Sequence, residues 1–493
     1  MTGLVRLLLF LCFASICKNA WCDYGHRRDE IIANEKHMAV GGKVKLTKEE
    51  SIVNDQLLNM KQSEFQHFEV PVTFPQLKWK LEDSKVLHFI KDLPKGASLH
   101  NHMLAATSLD YLIQNITYRD NLYACENFNE NKFKLKFFQV PNSDCNWKSV
   151  AELRRTNKNY DAYLVEKLSI DSPKSSREAA QKLSTYFTAV FDMLTYRQVF
   201  EEYFYQAMME LYEDKVIYAE FRGVFMELYE LNGTVWDPMT SLRIMQNTVQ
   251  KFVTDSNGKF LGAKYIFAVY RKISRDKLLE YKMQLNEAVM RYPNFIAGFD
   301  LIGYEDAGWP LKNFTRELKN PSVPYYFHAG ETNWYGNEAD NNILDAILLG
   351  AKRLGHAFSL AKHPRLMQMV KQEHIGLEIS PISNQMLGFI SDFRNHPGAV
   401  YIANGLPVII CNDDPTLWKT KSLLYDWYIV FMAMTNKDAG METLKEFALN
   451  SLYHSSLKGS EKTRALKIFD DQWQQFVQQW LRMFSAILWM FKM

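Results

Sequence analysis

Histidine and carboxylate side chains follow several apolar runs in this sequence, at positions where they could hold a metal ion and move protons. The run that ends at Phe327 leads into His328, and Glu331 follows three residues later. His100 and His102 alternate on another predicted strand, so both imidazoles face the same side of that strand. Two imidazoles on one face suit a divalent metal ion, although an isolated His-x-His is more often unrelated to metal.

Two more predicted strand ends carry side chains of the same kind. His356 follows Gly355, and Asp413 with Asp414 precedes Pro415. Taken with the first set, these residues supply imidazoles and a carboxylate, which is a donor set typical of zinc with one position open for water. Zinc lowers the pKa of water bound to it to about 7, so the sequence predicts a hydrolytic metal pocket.

The remaining side chains suggest roles in proton transfer and ring binding. Glu331 is a natural proton carrier close to His328, and His356 is positioned to accept a proton from water. Asp414 would be free to hold a polar ring atom while Asp413 binds the metal. Each residue also has a simpler interpretation: the histidines as ordinary core residues, and the two aspartates as a helix cap.

Eight short apolar or β-rich runs must position these side chains. Most are followed by helical patterns, as at Asn341–Leu349, Pro364–Gln372 and Thr416–Met432. Strands alternating with helices predict an α/β fold, a (β/α)8 TIM-like barrel with its active site at the C-terminal strand ends. The interval between the first and second runs is too long for one crossover helix, so we expect an insertion at about residues 120–180. The eight runs are Ala97–His102, Val216–Gly223, Lys264–Arg271, Phe295–Gly303, Val323–Gly330, Arg353–Phe358, Ile375–Pro381 and Pro407–Pro415.

Charge and the N-terminal segment indicate the compartment. The 493 residues carry 58 Lys and Arg against 56 Asp and Glu, which gives no bulk argument for nucleic-acid or membrane binding. Met1 to about Ala20 has a positive start and an apolar stretch too short to span a bilayer, so it predicts a secretory signal peptide. Sequons at Asn115, Asn232 and Asn313 fit a secreted glycoprotein.

Cysteine usage agrees with secretion. Cys22, Cys125, Cys145 and Cys411 remain once the predicted signal peptide is removed. In an oxidising compartment we expect Cys125 and Cys145 to pair, because both lie in one polar loop region. Cys411 is instead predicted to be a buried strand residue.

The chain is expected to divide into residues 1–20 as signal peptide, 21–93 as a helical extension, and 94–493 as the barrel. The extension carries no recognisable chemistry, so packing or dimerisation is its expected role. The C-terminal stretch Trp480–Met493 is apolar but interrupted by Arg482, which predicts an amphipathic helix rather than a membrane anchor.

Taken together, the motifs resemble the adenosine deaminases, most closely the secreted adenosine deaminase-related growth factor family. The resemblance covers nearly the whole chain and is very specific from about Phe295 to Tyr428. The matching motifs are Pro94–His102, Gly298–Gly303, Tyr326–Thr332, Arg353–His356, Pro381–Gln385, Arg394–Pro397 and Asp413–Pro415.

The resemblance implies a role for each matching residue. The zinc ligands would be the four residues His100, His102, His328 and Asp413. Glu331 would protonate the purine ring nitrogen beside the attacked carbon, and His356 would take the proton from water. Asp414 and the Gly303 backbone would hold the purine. The resemblance also implies a homodimer formed through the N-terminal extension, a receptor-like insertion, and a cell-surface receptor or glycosaminoglycan as a partner.

Four positions depart from the family pattern. Met103 stands where an aspartate usually binds ribose, Tyr270 where a histidine is usual, Tyr304 replaces another histidine, and Ala357 replaces a glycine. Leu183 is aligned loosely with a family tryptophan. The matching residues imply a secreted, zinc-dependent adenosine deaminase, which converts adenosine or 2′-deoxyadenosine to the inosine product and ammonia. The four changes imply that its affinity for the substrate is weakened. The alternatives are a catalytically weak, growth-factor-like binding protein, and a barrel metallohydrolase for another nucleoside or amide.

Overall fold

Eight parallel strands form a closed barrel in the computed structural model, which describes residues 24–127, 132–171 and 175–490. Strands β1 to β4 pair in chain order in one four-stranded sheet, and β5 to β8 pair in the same way in a second. The strands are Gly96–His102 (β1), Val216–Gly223 (β2), Ala263–Tyr270 (β3), Ile296–Ile302 (β4), Tyr326–Ala329 (β5), Arg353–His356 (β6), Gly376–Ile379 (β7) and Val408–Ile410 (β8).

Single parallel bridges join the two sheets at both seams. Phe299 of β4 pairs with Tyr325 just before β5, and Asn101 of β1 pairs with Asp413 just after β8. The backbone N–H of His102 donates to the Asp413 carbonyl at 3.2 Å, which ties the second seam directly to the strand end that carries the histidines. The predicted (β/α)8 barrel is therefore confirmed: six strands lie inside their predicted runs, and β1 and β3 begin one residue earlier.

Helices follow most of the strands and cover the outside of the barrel. The helix after β2 begins where the Asp237 carboxylate accepts from the N–H groups of Met239 and Thr240, with proline in its first turn. Strand β4 departs from the pattern, because only two short 3₁₀ turns, Glu305–Ala307 and Leu311–Phe314, lie between it and β5 in this described stretch. The main outer helices are Pro238–Asp255, Arg275–Arg291, Glu338–Leu348, Pro364–Gln372, Gly398–Ala403 and Met441–Tyr453.

One predicted helix begins later than expected. The pattern over Thr416–Met432 predicts a continuous helix, but the α-helix runs only over Leu424–Ile429 and continues as a π-helical turn to Met434. Lys419 and Ser422 have φ angles of 56° and 54°, which an α-helix excludes. The chain from Asp413 to Ser422 is therefore a loop at the mouth of the barrel.

The segment between β1 and β2 holds a small antiparallel sheet. Its strands are Leu122–Asn127, Lys132–Phe137 and Lys148–Ser149, and the predicted disulfide joins Cys125 to Cys145. Cys411 is a buried free thiol, as predicted. The segment continues through the helices Val150–Thr156, Tyr160–Lys167, Ser176–Leu194 and Arg197–Glu213 before β2 begins.

Within the described residues, helices near the two ends of the chain pack on each other. Residues 24–38 form the first described helix, followed by Lys48–Ser63, Phe74–Lys80 and Lys85–Asp92. Buried Glu50 accepts from Lys445 Nζ at 2.7 Å and from Trp473 Nε1 at 2.6 Å, which joins the N-terminal helices to the C-terminal ones.

The C-terminal stretch predicted to be amphipathic forms the end of a long helix, Gly459–Met490, with Trp480 buried and Arg482 exposed. Within the described residues, no helix combines the length and apolar character needed to cross a membrane. The predicted signal peptide and Cys22 lie outside the described residues.

Candidate active site

A cavity of about 730 Å³ opens at the C-terminal ends of the strands. The walls include seven of the eight site residues predicted from the sequence, while His100 lies fully buried just beneath the cavity floor. The seven are His102, Gly303, His328, Glu331, His356, Asp413 and Asp414. Residues from β1, β4, β5, β6 and the loop after β8 therefore meet in one place.

The imidazoles and the Asp413 carboxylate form a compact donor cluster. Ligand-type atoms of His100, His328, His356 and Asp413 all lie within 4.8 Å of one another. The His102 Nε2 atom lies 3.1 Å from Asp413 Oδ1, as does His100 Nε2. His356 belongs to the first group and lies 4.0 Å from Asp413 Oδ2, whereas His102 forms a second group with Asp413 and Asp414. Asp413 thus links all four predicted ligands.

Two carboxylates orient the buried histidine rings. His100 Nδ1 is 2.7 Å from Glu378 Oε2, and His328 Nδ1 is 2.7 Å from Asp300 Oδ2. A carboxylate accepts, so each Nδ1 carries the proton and each Nε2 keeps a lone pair. This is the tautomer that a metal-binding histidine needs.

Unpartnered atoms at the centre of the cluster fit a metal ion. His100 Nε2 and Asp413 Oδ1 are buried and 3.1 Å apart, yet neither has a hydrogen-bond partner within the described residues. Two acceptor atoms cannot form a hydrogen bond with each other, and buried polar atoms without a hydrogen-bond partner are rare. A cation between them would satisfy both, so the donor set fits the zinc ion predicted from the sequence.

The electrostatics of the cluster favour the metal-binding protonation states. Burial lowers the pKa of His328 to about 4, although the adjacent Asp300 carboxylate opposes that shift. The imidazole of His328 is therefore neutral near neutral pH and keeps the lone pair that a metal ligand uses.

Glu331 and His356 lie beside the cluster as a pair of proton-transfer groups. Glu331 Oε1 is 3.4 Å from His356 Nδ1. Burial, reinforced by the Asp413 and Glu305 carboxylates, raises the pKa of Glu331 well above its ordinary value. Burial lowers the pKa of His356 well below 6.5, despite the nearby Asp413. The environment therefore favours a protonated Glu331 as the acid and a neutral His356 as the base, and the two side chains are in contact.

A tight turn after β5 places Glu331. Its backbone N–H donates to Glu305 Oε1 at 2.9 Å, and the N–H of Gly330 donates to Glu305 Oε2 at 3.1 Å. Gly330 has a φ of 78°, and an added Cβ would lie 2.4 Å from Ile343 Cδ1, so this position excludes any side chain. The Ala-Gly step seen in the sequence thus lets His328 and Glu331 point into one pocket.

Strained backbone occurs at three functional positions. His356, Ala357 and Asp413 have φ angles of 62°, 44° and 63°, in the left-handed region that β-carbon-bearing residues disfavour. Such conformations persist where the surrounding structure enforces them, often at active sites. Here the His102 to Asp413 backbone bond and the end of β6 supply that constraint.

Most of the departures from the family pattern line the cavity: Met103, Leu183, Tyr270 and Tyr304 do, and Ala357 is buried outside its lining. Strand β1 ends at His102, so Met103 begins a 3₁₀ turn and is buried in the cavity wall instead of facing away from it. The Tyr270 ring packs beside Gly303, where an added Cβ would lie 3.1 Å from the ring. Leu183 lines the same space from the helix Ser176–Leu194.

Glu378, Asp300 and Arg222 support the histidines of the cluster, and sequence reasoning gave them no role. Each is a fully buried charged residue inside a barrel strand. A charge within an otherwise apolar strand is the signal that could have pointed to them, since charged groups are rarely buried without a partner.

A (β/α)8 barrel with a histidine and aspartate cluster at its C-terminal mouth defines the class as a barrel hydrolase with a metal-type site. Residues 162–472 match the family Adenosine deaminase, and residues 7–88 match Adenosine/AMP deaminase N-terminal. The chain belongs to the adenosine deaminase family.

Curated relatives match nearly the whole chain. An Adenosine deaminase of Lutzomyia longipalpis is 35% identical over 475 residues, covering 92% of this chain and 93% of the relative. Adenosine deaminase 2 of Sus scrofa is 34% identical over 481 residues, covering 92% and 94%. The second relative supports the resemblance to the growth-factor-related branch noted from the motifs.

Solved structures share the fold at low identity. An amidohydrolase from Burkholderia ambifaria with bound Zn has a TM-score of 0.55 at 17% identity, covering 80% of this chain and 94% of its own. An adenine deaminase from Arthrobacter aurescens has a TM-score of 0.54 at 19% identity, covering 77% and 98%. These likenesses agree with the barrel architecture.

Proposed function

We propose that this protein is a secreted, zinc-dependent adenosine deaminase that hydrolyses adenosine or 2′-deoxyadenosine and releases ammonia. The observation that carries the proposal is the pairing of Glu331 with His356, 3.4 Å apart, beside the donor cluster in one cavity. This combination supplies an acid, a base and a metal site at the same reacting centre.

The four residues His100, His102, His328 and Asp413 would hold the zinc ion. A bound zinc ion supplies Lewis-acid activation and lowers the pKa of water to about 7. The Nδ1 contacts of two histidines and the unpartnered Asp413 Oδ1 support this ligand set. Zinc in the Burkholderia ambifaria structure supports the choice of metal.

The chain's own residues account for the proton movements of deamination. Glu331 gives its proton to the ring nitrogen beside the attacked carbon, which makes that carbon more electrophilic. His356 accepts the proton that water loses as the new C–O bond forms. His356 then gives that proton to the exocyclic amine, the C–N bond breaks, and the amine leaves as ammonia. The hydroxyl proton of the product carbon returns to the Glu331 carboxylate as the C=O bond forms. General acid–base groups placed in this way contribute about 10²–10⁴-fold in rate.

Asp414 and the Gly303 backbone would orient the purine. Asp414 Oδ1 is buried without a hydrogen-bond partner in the described part of the chain. Burial and the neighbouring Asp413 raise the pKa of Asp414 well above its ordinary value, which favours a carboxyl that donates to a ring nitrogen. A purine bound in this way would place its sugar towards the apolar side of the cavity.

The apolar side of the cavity, where Met103 lies, would weaken the affinity for the nucleoside substrate. Met103 is buried there and offers no hydrogen bond, and Tyr270 stands beside Gly303. A sugar hydroxyl that loses its partner on binding costs about 1–3 kcal/mol. The same two residues favour the second candidate function, a growth-factor-like binding protein that keeps the barrel but catalyses little.

Secretion, glycosylation and dimerisation belong to the same proposal. The disulfide of Cys125 with Cys145 suits an oxidising compartment. Asn115 and Asn232 are exposed, as glycan acceptors must be, and Asn313 is half-buried. The helical extension at residues 21–93 is the proposed dimer segment, and the insertion at about residues 120–180 is the proposed contact for a cell-surface receptor or glycosaminoglycan.

Turnover of adenosine by the purified, zinc-loaded protein tests the function. We expect absorbance at the adenosine band to fall, and treatment with a chelator to stop the change. Glu331→Gln should lose about 10²–10⁴-fold in kcat because the ring-nitrogen proton donor is gone. The control is Glu338→Gln, on the exposed start of the next helix, which should match the wild type.

Two results would count against deamination. If the wild type and Glu331→Gln are equally inactive with zinc bound, the binding-protein alternative replaces the enzyme. If another nucleoside or amide is hydrolysed and adenosine is not, the barrel metallohydrolase alternative is favoured.

A further inference from the structure

A chain of buried charges crosses the barrel interior below the donor cluster. Its five members alternate in sign, and every one of these side chains is fully buried. In order from the base of the barrel they are Glu220, Arg353, Glu378, Arg222 and Asp300. Such a chain is costly to bury unless its geometry is well satisfied, so its position against two ligand-type histidines needs an explanation.

Arg222 connects the two carboxylates that accept hydrogen bonds from His100 and His328. Its Nη2 lies 2.8 Å from Glu378 Oε2, the oxygen that accepts from His100 Nδ1. Its Nη1 lies 2.8 Å from Asp300 Oδ2, the oxygen that accepts from His328 Nδ1. One planar guanidinium therefore holds both carboxylates, and each carboxylate holds one imidazole.

Further contacts restrain the Arg222 fork and the Asp300 carboxylate, although Arg222 Nε has no partner within the described residues. Arg222 Nη2 also donates to the Leu99 carbonyl at 3.1 Å. Asp300 Oδ1 accepts from the His328 backbone N–H at 2.8 Å, which fixes that carboxylate to the strand of its own histidine. A guanidinium has a rigid fork of donors, whereas an ammonium is a single point charge on a flexible stem.

The far end of the chain anchors it to the base of the barrel. Arg353 Nε donates to Glu378 Oε1, and Arg353 Nη2 lies 2.6 Å from Glu220 Oε2. Glu220 Oε1 accepts from the Ser456 N–H at 2.6 Å, and Arg353 Nη1 donates to the His454 carbonyl at 2.9 Å. Glu378 therefore forms ion pairs with two arginines and accepts from His100. Glu220 forms an ion pair with Arg353 and contacts neither His100 nor His328.

We propose that Arg222 is a positioning residue for two metal ligands at once, setting the ring orientation and tautomer of His100 and His328 through Glu378 and Asp300. The proposal rests on the ligand set given under the proposed function. Outer partners of metal-binding histidines change metal affinity by about 10–100-fold when they are altered. Here one residue acts on two ligands, so its alteration should weaken both.

Zinc affinity, measured by competition with a chromophoric chelator, tests the proposal. Arg222→Lys keeps the charge but cannot span both carboxylates, and Glu378→Gln removes the negative charge and replaces one of two accepting oxygens with a donor; each should lower zinc affinity by about 10–100-fold. Glu220→Gln is the matched control, because it removes one negative charge from the same chain and also contacts Arg353. It should stay within a few-fold of the wild type.

A spectroscopic signature separates positioning from a general loss of structure. In the cobalt-loaded proteins, the visible absorption bands should shift in Arg222→Lys and Glu378→Gln and remain unchanged in Glu220→Gln. Asp300→Asn provides a second variant for the His328 arm, since its remaining oxygen can still accept from the backbone N–H of His328. Circular dichroism of the metal-free proteins establishes that each is folded.

The outcomes decide the matter in either direction. Equal losses of zinc affinity in Glu378→Gln and Glu220→Gln would show a purely structural role and overturn the proposal, as would wild-type affinity in Arg222→Lys. A wild type that binds zinc without deaminating adenosine would contradict the proposed function, while the ranking of zinc affinities would still support the positioning role.

Discussion

Met103 shows how one residue sets the character of the cavity wall. It follows His102 directly, and because β1 ends there its side chain turns into the cavity. A sulfur-containing apolar side chain offers neither a strong donor nor a strong acceptor to a sugar hydroxyl. The metal and proton-transfer groups can therefore be complete while the binding of the sugar is poor.

Replacing Met103 with aspartate should restore a polar contact to the sugar. We expect Met103→Asp to raise kcat/KM for adenosine by roughly tenfold, equivalent to about 1.4 kcal/mol, which one buried hydrogen bond can supply. Initial rates on adenosine and 2′-deoxyadenosine with the zinc-loaded proteins provide the measurement. Met103→Leu keeps an apolar side chain of similar size and should gain nothing. An Asp variant no better than the Leu variant would remove Met103 from the sugar site.

The positions of the ligand-type residues at strand ends could be predicted from the sequence. The buried carboxylates that orient the histidine rings could not. His328 and Asp413 follow apolar runs, so their place at strand ends depends only on local pattern. The roles of Glu378 and Asp300 depend on which side chains meet inside the closed barrel, and those contacts join distant strands. Local pattern carries no information about such pairings, which is why the buried charges were left without a role.

Helix Ser176–Leu194 is the element that shapes the apolar side of the cavity. Leu183 and Phe187 are four residues apart on this helix, so both face the same side, and both line the cavity. The Phe187 ring lies edge-on to His102, with 6.4 Å between the ring centroids. The helix thus presents apolar and aromatic surface beside the predicted metal site, where a purine nucleoside would contact it.

Truncating Phe187 should weaken substrate binding more than catalysis. Loss of an aromatic contact worth about 1 kcal/mol would raise KM for adenosine roughly fivefold in Phe187→Ala, with kcat changed less. Steady-state kinetics and zinc content of the same preparations measure both effects. The adjacent Thr188 is exposed, so Thr188→Ala is the matched control. If kcat falls and KM does not, the helix acts on the chemistry instead of on binding.

Elements with a simple apolar pattern were predicted well, and loops that bend back into the site were not. Each of the eight predicted runs overlaps a barrel strand, and the helix predicted at Pro364–Gln372 has the observed bounds. The helix predicted from Thr416 begins only at Leu424, because two residues between them take up left-handed backbone. Only Gly and Asn mark such conformations in a sequence, and Lys419 and Ser422 are neither.

At the scale of the whole molecule, the predicted metal ligands join the two sheets of the barrel, as the buried ion pairs of Arg222 and Arg353 also do. His100 and His102 lie on β1, His328 lies on β5, and Asp413 follows β8. The two sheets meet at each seam through a single parallel bridge, and Asn101 with Asp413 forms one of them. A bound ion would therefore join both sheets and reinforce the seam between β8 and β1.

Removing the metal should lower the stability of the entire barrel. An ion present at about a thousand times its dissociation constant adds roughly 4 kcal/mol to the free energy of unfolding, because it binds the folded state alone. We expect calorimetry to give a lower Tm after chelation and recovery when zinc is added back. His328→Ala removes one ligand, so its Tm should respond little to zinc. Metal analysis should establish that chelation removed the zinc. If the Tm of the wild type then does not change, the ion does not reinforce the seams, and backbone bridges, packing and the buried ion pairs hold the sheets together.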